Sequence, residues 1–180
     1  MTPVIDPKAL PWQTYPTGWI VTYLGHVVNV FGGATPSKEN PEFWDGDIPW
    51  VSPKDMKRDL IVDSEDHISK TALRGTSLAM IAPPAVLMVT RGMILDRKVP
   101  VAITAKPVTV NQDMKALLPR CGLSAPFLVH LLRAHGEALL ARVEEAGHGT
   151  KALRTEIWKK LPIAIPPTGC LLYTSDAADE

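Results

Sequence analysis

Apolar residues along this chain fall into short runs separated by turn formers, with one longer stretch of helical spacing in its final third. The runs at 48–51, 80–81, 86–89, 99–104 and 108–110 are rich in β-branched residues and bounded by Pro, Gly or Asp, so each predicts a short strand. Residues 19–22 suit one more strand, and 24–28 a helical turn. Ser69 is placed to cap a short helix that runs through Arg74 and closes at Gly75. The longer stretch starts after Ser124, with Pro126 in its first turn. Phe127, Leu128, Leu131, Leu132, His135, Leu139 and Val143 recur at spacings of three and four, which predicts one amphipathic helix to about Ala146, stopped by Gly147. Gly136 should weaken that helix by about 1 kcal/mol relative to alanine. A short helix over 156–160 and a closing strand over 161–165 complete the pattern. The fold class expected is α+β, a mixed, curved β-sheet with helices packed on one side.

Composition narrows this picture without changing it. A chain of 180 residues can build one domain with a real core, since a domain near this length buries roughly 70% of the surface its unfolded form exposes. A hydrophobic fraction of 46% with 21% charged residues is that of a globular protein, not a disordered one. Seventeen prolines imply many short elements and frequent turns. Residues 1–17 hold four of them and little periodicity, so they read as a leader or linker before a domain over 18–167. Residues 168–180, ending CLLYTSDAADE, break with everything before them and read as a non-native tail of translated adapter or cloning sequence. The longest apolar run, 79–89, is interrupted by Pro83 and Pro84 and falls far short of the ~20 residues a membrane helix needs. With no secretory signal at the N-terminus, and with Cys121 and Cys170 too few for a disulfide framework, the compartment expected is the cytoplasm.

The stretch 32–55, GGATPSKENPEFWDGDIPWVSPKD, joins a glycine turn, paired tryptophans, a proline-punctuated strand and a Ser/Lys/Asp cluster. It supplies no nucleophile and no metal cage. Gly32-Gly33 could form an anion nest, but nothing like a P-loop follows and Pro36 lacks a donor, so a β-turn using glycine's freedom at positive φ is the simpler reading. Of the five histidines, only His130 and His135 are near neighbours, and a separation of five puts them on different helix faces. Cys121 has no cysteine partner nearby, and Asp45-Gly46-Asp47 lacks the later ligands of a calcium loop. Neither a metal site, a cofactor nor a catalytic apparatus is expected. Trp44 and Trp50 could stack on bases, yet with Phe43 and Ile48 beside them they are expected in the core.

Formal net charge is zero, which by itself argues against a nucleic-acid partner. The distribution softens the objection. Residues 1–90 carry seven Lys/Arg against ten Asp/Glu, and residues 91–180 carry twelve against nine. Groups able to meet phosphates or base edges recur in loops: Lys54, Lys57 and Arg58; Arg91, Arg97 and Lys98; Lys106; Asn111 and Gln112; and Lys151. By composition alone each basic residue reads more simply as a solvated surface charge. Asn111 and Gln112 have the amides that suit adenine, but a turn-capping role fits them equally.

Context raises the first reading. After GGATPS and WDGDIPWVSPKDM come IVDSEDHISKTAL (61–73), PPAVLMVTRG (83–92), VTVNQDMKALLP (108–119), GHGTKAL (147–153) and LPIAIPP (161–167). In order and approximate spacing these segments resemble the target-recognition domain of type I restriction–modification specificity subunits, over about 19–167. The resemblance implies sequence-specific binding of double-stranded DNA, one such domain reading one half of a split target while a second recognition domain reads the other. It also implies partners: modification (methyltransferase) subunits that bind S-adenosylmethionine and methylate adenine, and restriction subunits that cut. Catalysis would then lie on other chains. One recognition-like domain without the long spacer helix expected after Pro167 implies a fragment or a half-subunit that pairs. The alternative is a protein-interaction module that docks subunits or self-associates without reading DNA.

Overall fold

A computed structural model of the chain describes residues 16–167. The leader, apart from its last two residues, and the tail from 168 onward lie outside the described residues. In chain order the strands and α-helices are β1 (Ile20–Tyr23), β2 (Val28–Gly32), β3 (Ile48–Val51), β4 (Leu60–Ile61), β5 (Asp66–Ile68), α1 (Lys70–Gly75), β6 (Val86–Val89), β7 (Val101–Thr104), β8 (Thr109–Val110) and β9 (Met114–Pro119). There follow α2 (Ala125–Ala134), α3 (Gly136–Leu140), β10 (Glu144–Glu145), β11 (Lys151–Ala152), α4 (Thr155–Trp158) and β12 (Pro162–Ile165).

The main sheet has the order β2-β9-β6-β7-β4, antiparallel throughout except for the parallel pair β4/β7. Its middle strand, β6, is Val-Leu-Met-Val with every residue buried, because both of its faces are covered. Leu87 sits opposite Ala116 on one side and Ala102 on the other, so two small residues flank one large one. Helix α2 lies over β6, β7 and β9 and brings Leu128 and Leu132 onto the sheet with no exposure. Burying such a leucine contributes about 1.5–3 kcal/mol. Trp158 of α4, also fully buried, belongs to the same core. The outer strands β1 and β12 pair antiparallel, so the two ends of the described chain meet. No helix among the described residues is long and apolar enough to cross a membrane.

A second, smaller sheet, β5-β3-β8, mixes an antiparallel pair (β3/β5) with a parallel one (β3/β8). Together with α1 it encloses its own apolar cluster of Ile48, Trp50, Ile68, Ala72 and Leu78. Most of the motif-bearing stretch 32–55 is therefore built around this satellite core. The expected α+β class, with a mixed sheet and helices on it, is what the chain adopts.

Four local expectations are corrected. The long helix breaks at His135, whose φ/ψ of −93°/13° ends α2, and α3 restarts at Gly136 for a single short segment. Beyond it the chain turns extended as β10 to pair with β11, since the sheet pairing offers backbone partners that a further helical turn would forgo. Gly147 is not a left-handed stop; the positive φ in this loop belongs to Gly149. Gly75 is the last residue of α1, not a cap beyond it, and the chain leaves through extended Thr76, whose hydroxyl donates to the Ala72 carbonyl at 2.8 Å. Residues 80–81 contribute a single bridge, Ile81 to Val108, in place of a strand.

Gly136 keeps an ordinary backbone, and a Cβ built there meets nothing within 4 Å. Replacing Gly136 by alanine is expected to stabilise the fold by about 0.5–1 kcal/mol, seen as a higher urea midpoint at unchanged slope. A lower midpoint would show that the break at 135 needs glycine.

Candidate nucleic-acid interface

The approach to the site is set by close backbone packing. Gly33 follows β2 at a point where a Cβ would fall 2.0 Å from the Val110 carbonyl oxygen. Neither Gly32 nor Gly33 has positive φ, so the glycine is there for close approach and not for the turn conformation expected. The tight contact holds the Ala34 carbonyl where the Trp50 indole donates to it at 2.9 Å. Trp44 stands edge-on to Trp50, with centroids 5.1 Å apart, and donates to the Ser37 carbonyl at 3.1 Å. Trp50 is buried and Trp44 half-buried, so both serve the satellite core as expected. Where β3 ends, the Asp55 carboxylate accepts from the Ser52 backbone and hydroxyl at 2.8 and 3.1 Å and from the Glu65 N–H at 2.8 Å. It thereby ties loop 62–65 to the strand exit.

That tie brings acids to two of the expected basic residues. Lys54 meets Asp66 at 2.8 Å and Glu65 at 3.4 Å, while Lys57 reaches Glu65 at 3.7 Å. The hydrogen bond that Lys54 donates to Asp66 is the chief cause that raises its ammonium above the ordinary value. These are exposed pairs, each worth at most about 1 kcal/mol, so exchanging a carboxylate for a phosphate costs little. Arg58 is exposed on the same loop and forms no ion pair among the described residues.

On the other side of loop 62–65 lies an open concavity of about 650 Å³ between α1, β3 and the turn that carries Lys106. Asp63 lines both it and the neighbouring hollow beside Lys54, Lys57 and Arg58. Its carboxylate lies 2.8 Å from His67 Nε2 and also accepts from the Ser64 N–H at 3.0 Å. The His67 contact, first, and the Ser64 N–H, second, hold Asp63 below the usual carboxylate range. Lys106 faces the concavity beside Lys70 and Arg74 of α1. These last two and His67 were missed when the chain was read as sequence. A signal was present: Lys70 and Arg74 stand four apart behind the Ser69 cap, hence on one helix face.

The remaining expected residues gather elsewhere. The Gly92 N–H bonds the Lys151 carbonyl at 2.9 Å and Arg91 bridges Ala152, so 91–98 and 151 share one edge. Lys151 is half-buried and lies 3.6 Å from Asp96 and 3.4 Å from Glu145. Arg91, Arg97 and Lys98 are exposed there without ion pairs among the described residues. The amide expectations fare differently. Asn111 is buried; its oxygen accepts from the Asp113 N–H at 3.0 Å and closes the turn before β9. Gln112 is exposed, but its oxygen accepts from the Thr35 hydroxyl and its nitrogen donates to Asp113 at 3.2 Å. Asn111 thus takes the turn-capping role, while Gln112 stays exposed beside that turn with Thr35 and Asp113 as its partners. Of the ten residues expected at the interface, the exposed cations without an ion pair among the described residues are Arg58, Arg91, Arg97, Lys98 and Lys106. Among the described residues no three His, Cys, Asp or Glu side chains gather as a metal set, and Cys121 is free and exposed.

Comparison with known proteins follows the same lines. Residues 16–169 match the type I restriction modification DNA specificity domain. A type I restriction enzyme specificity subunit of Escherichia coli is 35% identical over 144 residues, 79% of this chain and 36% of its own length. The MjaIX specificity subunit of Methanocaldococcus jannaschii is 29% identical over 154 residues, 84% of this chain and 35% of its own. The chain therefore spans about a third of the length of the curated relatives it matches. Among solved structures, a chain of a type I R-M system superimposes with a TM-score of 0.71 at 19% identity, covering 94% of this chain and 39% of that one. The HsdS subunit of Thermoanaerobacter tengcongensis does so at 0.64 and 18%, covering 87% and 35%.

Proposed function

The chain belongs to the type I restriction modification DNA specificity family, and from that premise we propose that it binds double-stranded DNA sequence-specifically, reading one half of a bipartite target. The observation that carries this reading is a family match spanning all the described residues. The surface agrees with it: exposed cations stand on loops held by a rigid sheet, where duplex DNA can reach them. Arg58 and Lys106 flank loop 62–65, with Lys54 and Lys57 released from their acids on binding. Arg91, Arg97 and Lys98 form the second group, and Arg91 has the forked geometry that suits guanine. The domain presents and holds; it does not catalyse. Methylation and cleavage fall to modification and restriction subunits, in the cytoplasm, and a second recognition domain reads the other half-site.

The test is the salt dependence of duplex binding, followed by fluorescence anisotropy. Log affinity is expected to fall linearly with log salt, with a slope of about −0.9 for each phosphate neutralised. The competing module that docks proteins without reading DNA requires a flat line, and gel filtration with and without duplex would then show no DNA-dependent shift. Either result ends the DNA reading.

A further inference from the structure

We infer that the concavity between α1 and the Lys106 turn seats the sugar–phosphate backbone of a DNA strand, as an anchoring subsite that carries no base specificity. The inference rests on the DNA reading above and assigns a place and a chemical role to Lys70 and Arg74, which lie outside the expected set, together with Lys106, which lies within it.

Three cations converge there from two separate elements: Lys70 and Arg74 from one face of α1, and Lys106 from the turn between β7 and β8. None of the three is ion-paired among the described residues, unlike Lys54, Lys57 and Lys151. Two acids share the rim. Asp63 is already engaged by His67 and the Ser64 N–H, and Lys106 lies near enough for its charge to help hold that carboxylate ionised. Asp47 is the other. Cations thus outnumber acids on a rim that has no amide side chain to read a base edge.

Apolar side chains share the lining, from Pro49, Leu73, Met80 and Pro107, and Met80 is 44% exposed. A bare phosphate ion gains nothing from such apolar neighbours. A nucleic-acid strand does, because its anionic phosphates alternate with apolar deoxyribose faces at the scale of this concavity. The hollow is open along the surface, which suits a polymer lying across it. Contacts of this kind fix orientation and register on the duplex while leaving sequence to other residues.

The experiment compares the full chain with Lys70→Gln/Arg74→Gln, and with Lys159→Gln/Lys160→Gln as a charge-matched control, on two duplexes of unrelated sequence. Removing two phosphate contacts is expected to make the salt slope shallower by about 2 and to weaken binding about 60-fold at 100 mM salt. The loss should be equal on both duplexes, and the control should match wild type. Coincident thermal unfolding of the three proteins confirms that folding is unchanged; Lys106→Gln, outside the helix, repeats the test with half the expected slope change.

An unchanged slope in a protein that still binds DNA with wild-type salt dependence overturns the subsite and leaves the DNA reading standing. A loss confined to one duplex makes the residues base readers and also overturns it. Saturable binding of deoxyadenosine monophosphate or inorganic phosphate that the double variant abolishes assigns the hollow to a free small anion instead. If wild type itself shows no salt-dependent binding, the DNA reading fails first and the subsite with it.

Discussion

Gly33→Ala is expected to destabilise the protein by about 3 kcal/mol, roughly a hundredfold in the folded-to-unfolded ratio. The added methyl carbon would fall 2.0 Å from the Val110 oxygen and 2.2 Å from the Asn111 oxygen, and both obstacles are backbone. That backbone cannot step aside. Thr109 and Val110 are paired in parallel with Trp50 and Val51, the Asn111 N–H bonds the Val51 carbonyl at 2.9 Å, and the Ala34 N–H bonds the Val110 carbonyl at 3.2 Å. Relief of the clash must break at least one of these bonds, each worth about 1 kcal/mol net. Urea unfolding would show the effect directly, and a midpoint equal to that of wild type would mean that the β2–β8 approach is looser than described.

Trp50→Ala carries the other large effect, about 3–5 kcal/mol, because it empties the centre of the satellite core. The indole is 6% exposed, donates to Ala34 and packs edge-on to Trp44 among Ile48, Ile68, Ala72 and Leu78. Trp50→Phe keeps one aromatic ring and loses the pyrrole half of the indole with its hydrogen bond, so it should cost less, about 1–3 kcal/mol. The consequence reaches the interface. Ala72 and Ile48 are held by this core, and the elements that carry them also carry Lys70, Arg74 and Pro49 to the concavity. DNA affinity should therefore fall with stability in the alanine variant and recover in the phenylalanine one. Stability held at wild type with DNA binding lost would mark Trp50 as a base-stacking residue and not a core one.

Gly33, Gly136 and Gly149 look alike as letters and differ in space. Gly33 excludes a side chain, Gly136 has open room for one, and Gly149 uses positive φ. No local pattern separates these cases, because the neighbours that decide them are far away in the chain. Strand β9 makes the same point: Met114–Pro119 has no β-branched residue and would pass for helix, yet it lies between β2 and β6. There the hydrogen-bonding demand of two flanking strands outweighs a weak local preference.

What local chemistry could settle was legible in the sequence: the α+β class, the strands at 48–51 and 86–89, the Ser69 cap, the start of a helix after Ser124, Trp44 and Trp50 as core, and a run of motifs specific enough to point to a family. These depend on side-chain periodicity and backbone preference over a few residues. The grouping of charges was not legible. Lys54, Lys57 and Lys151 met acids, Asn111 turned inward to close a turn while Gln112 stayed exposed against Thr35 and Asp113, and Lys70, Arg74 and Lys106 were brought to one hollow from positions more than thirty residues apart. Whether a cation is free or paired depends on distances of a few ångströms between remote segments, and those are set by how the two sheets pack.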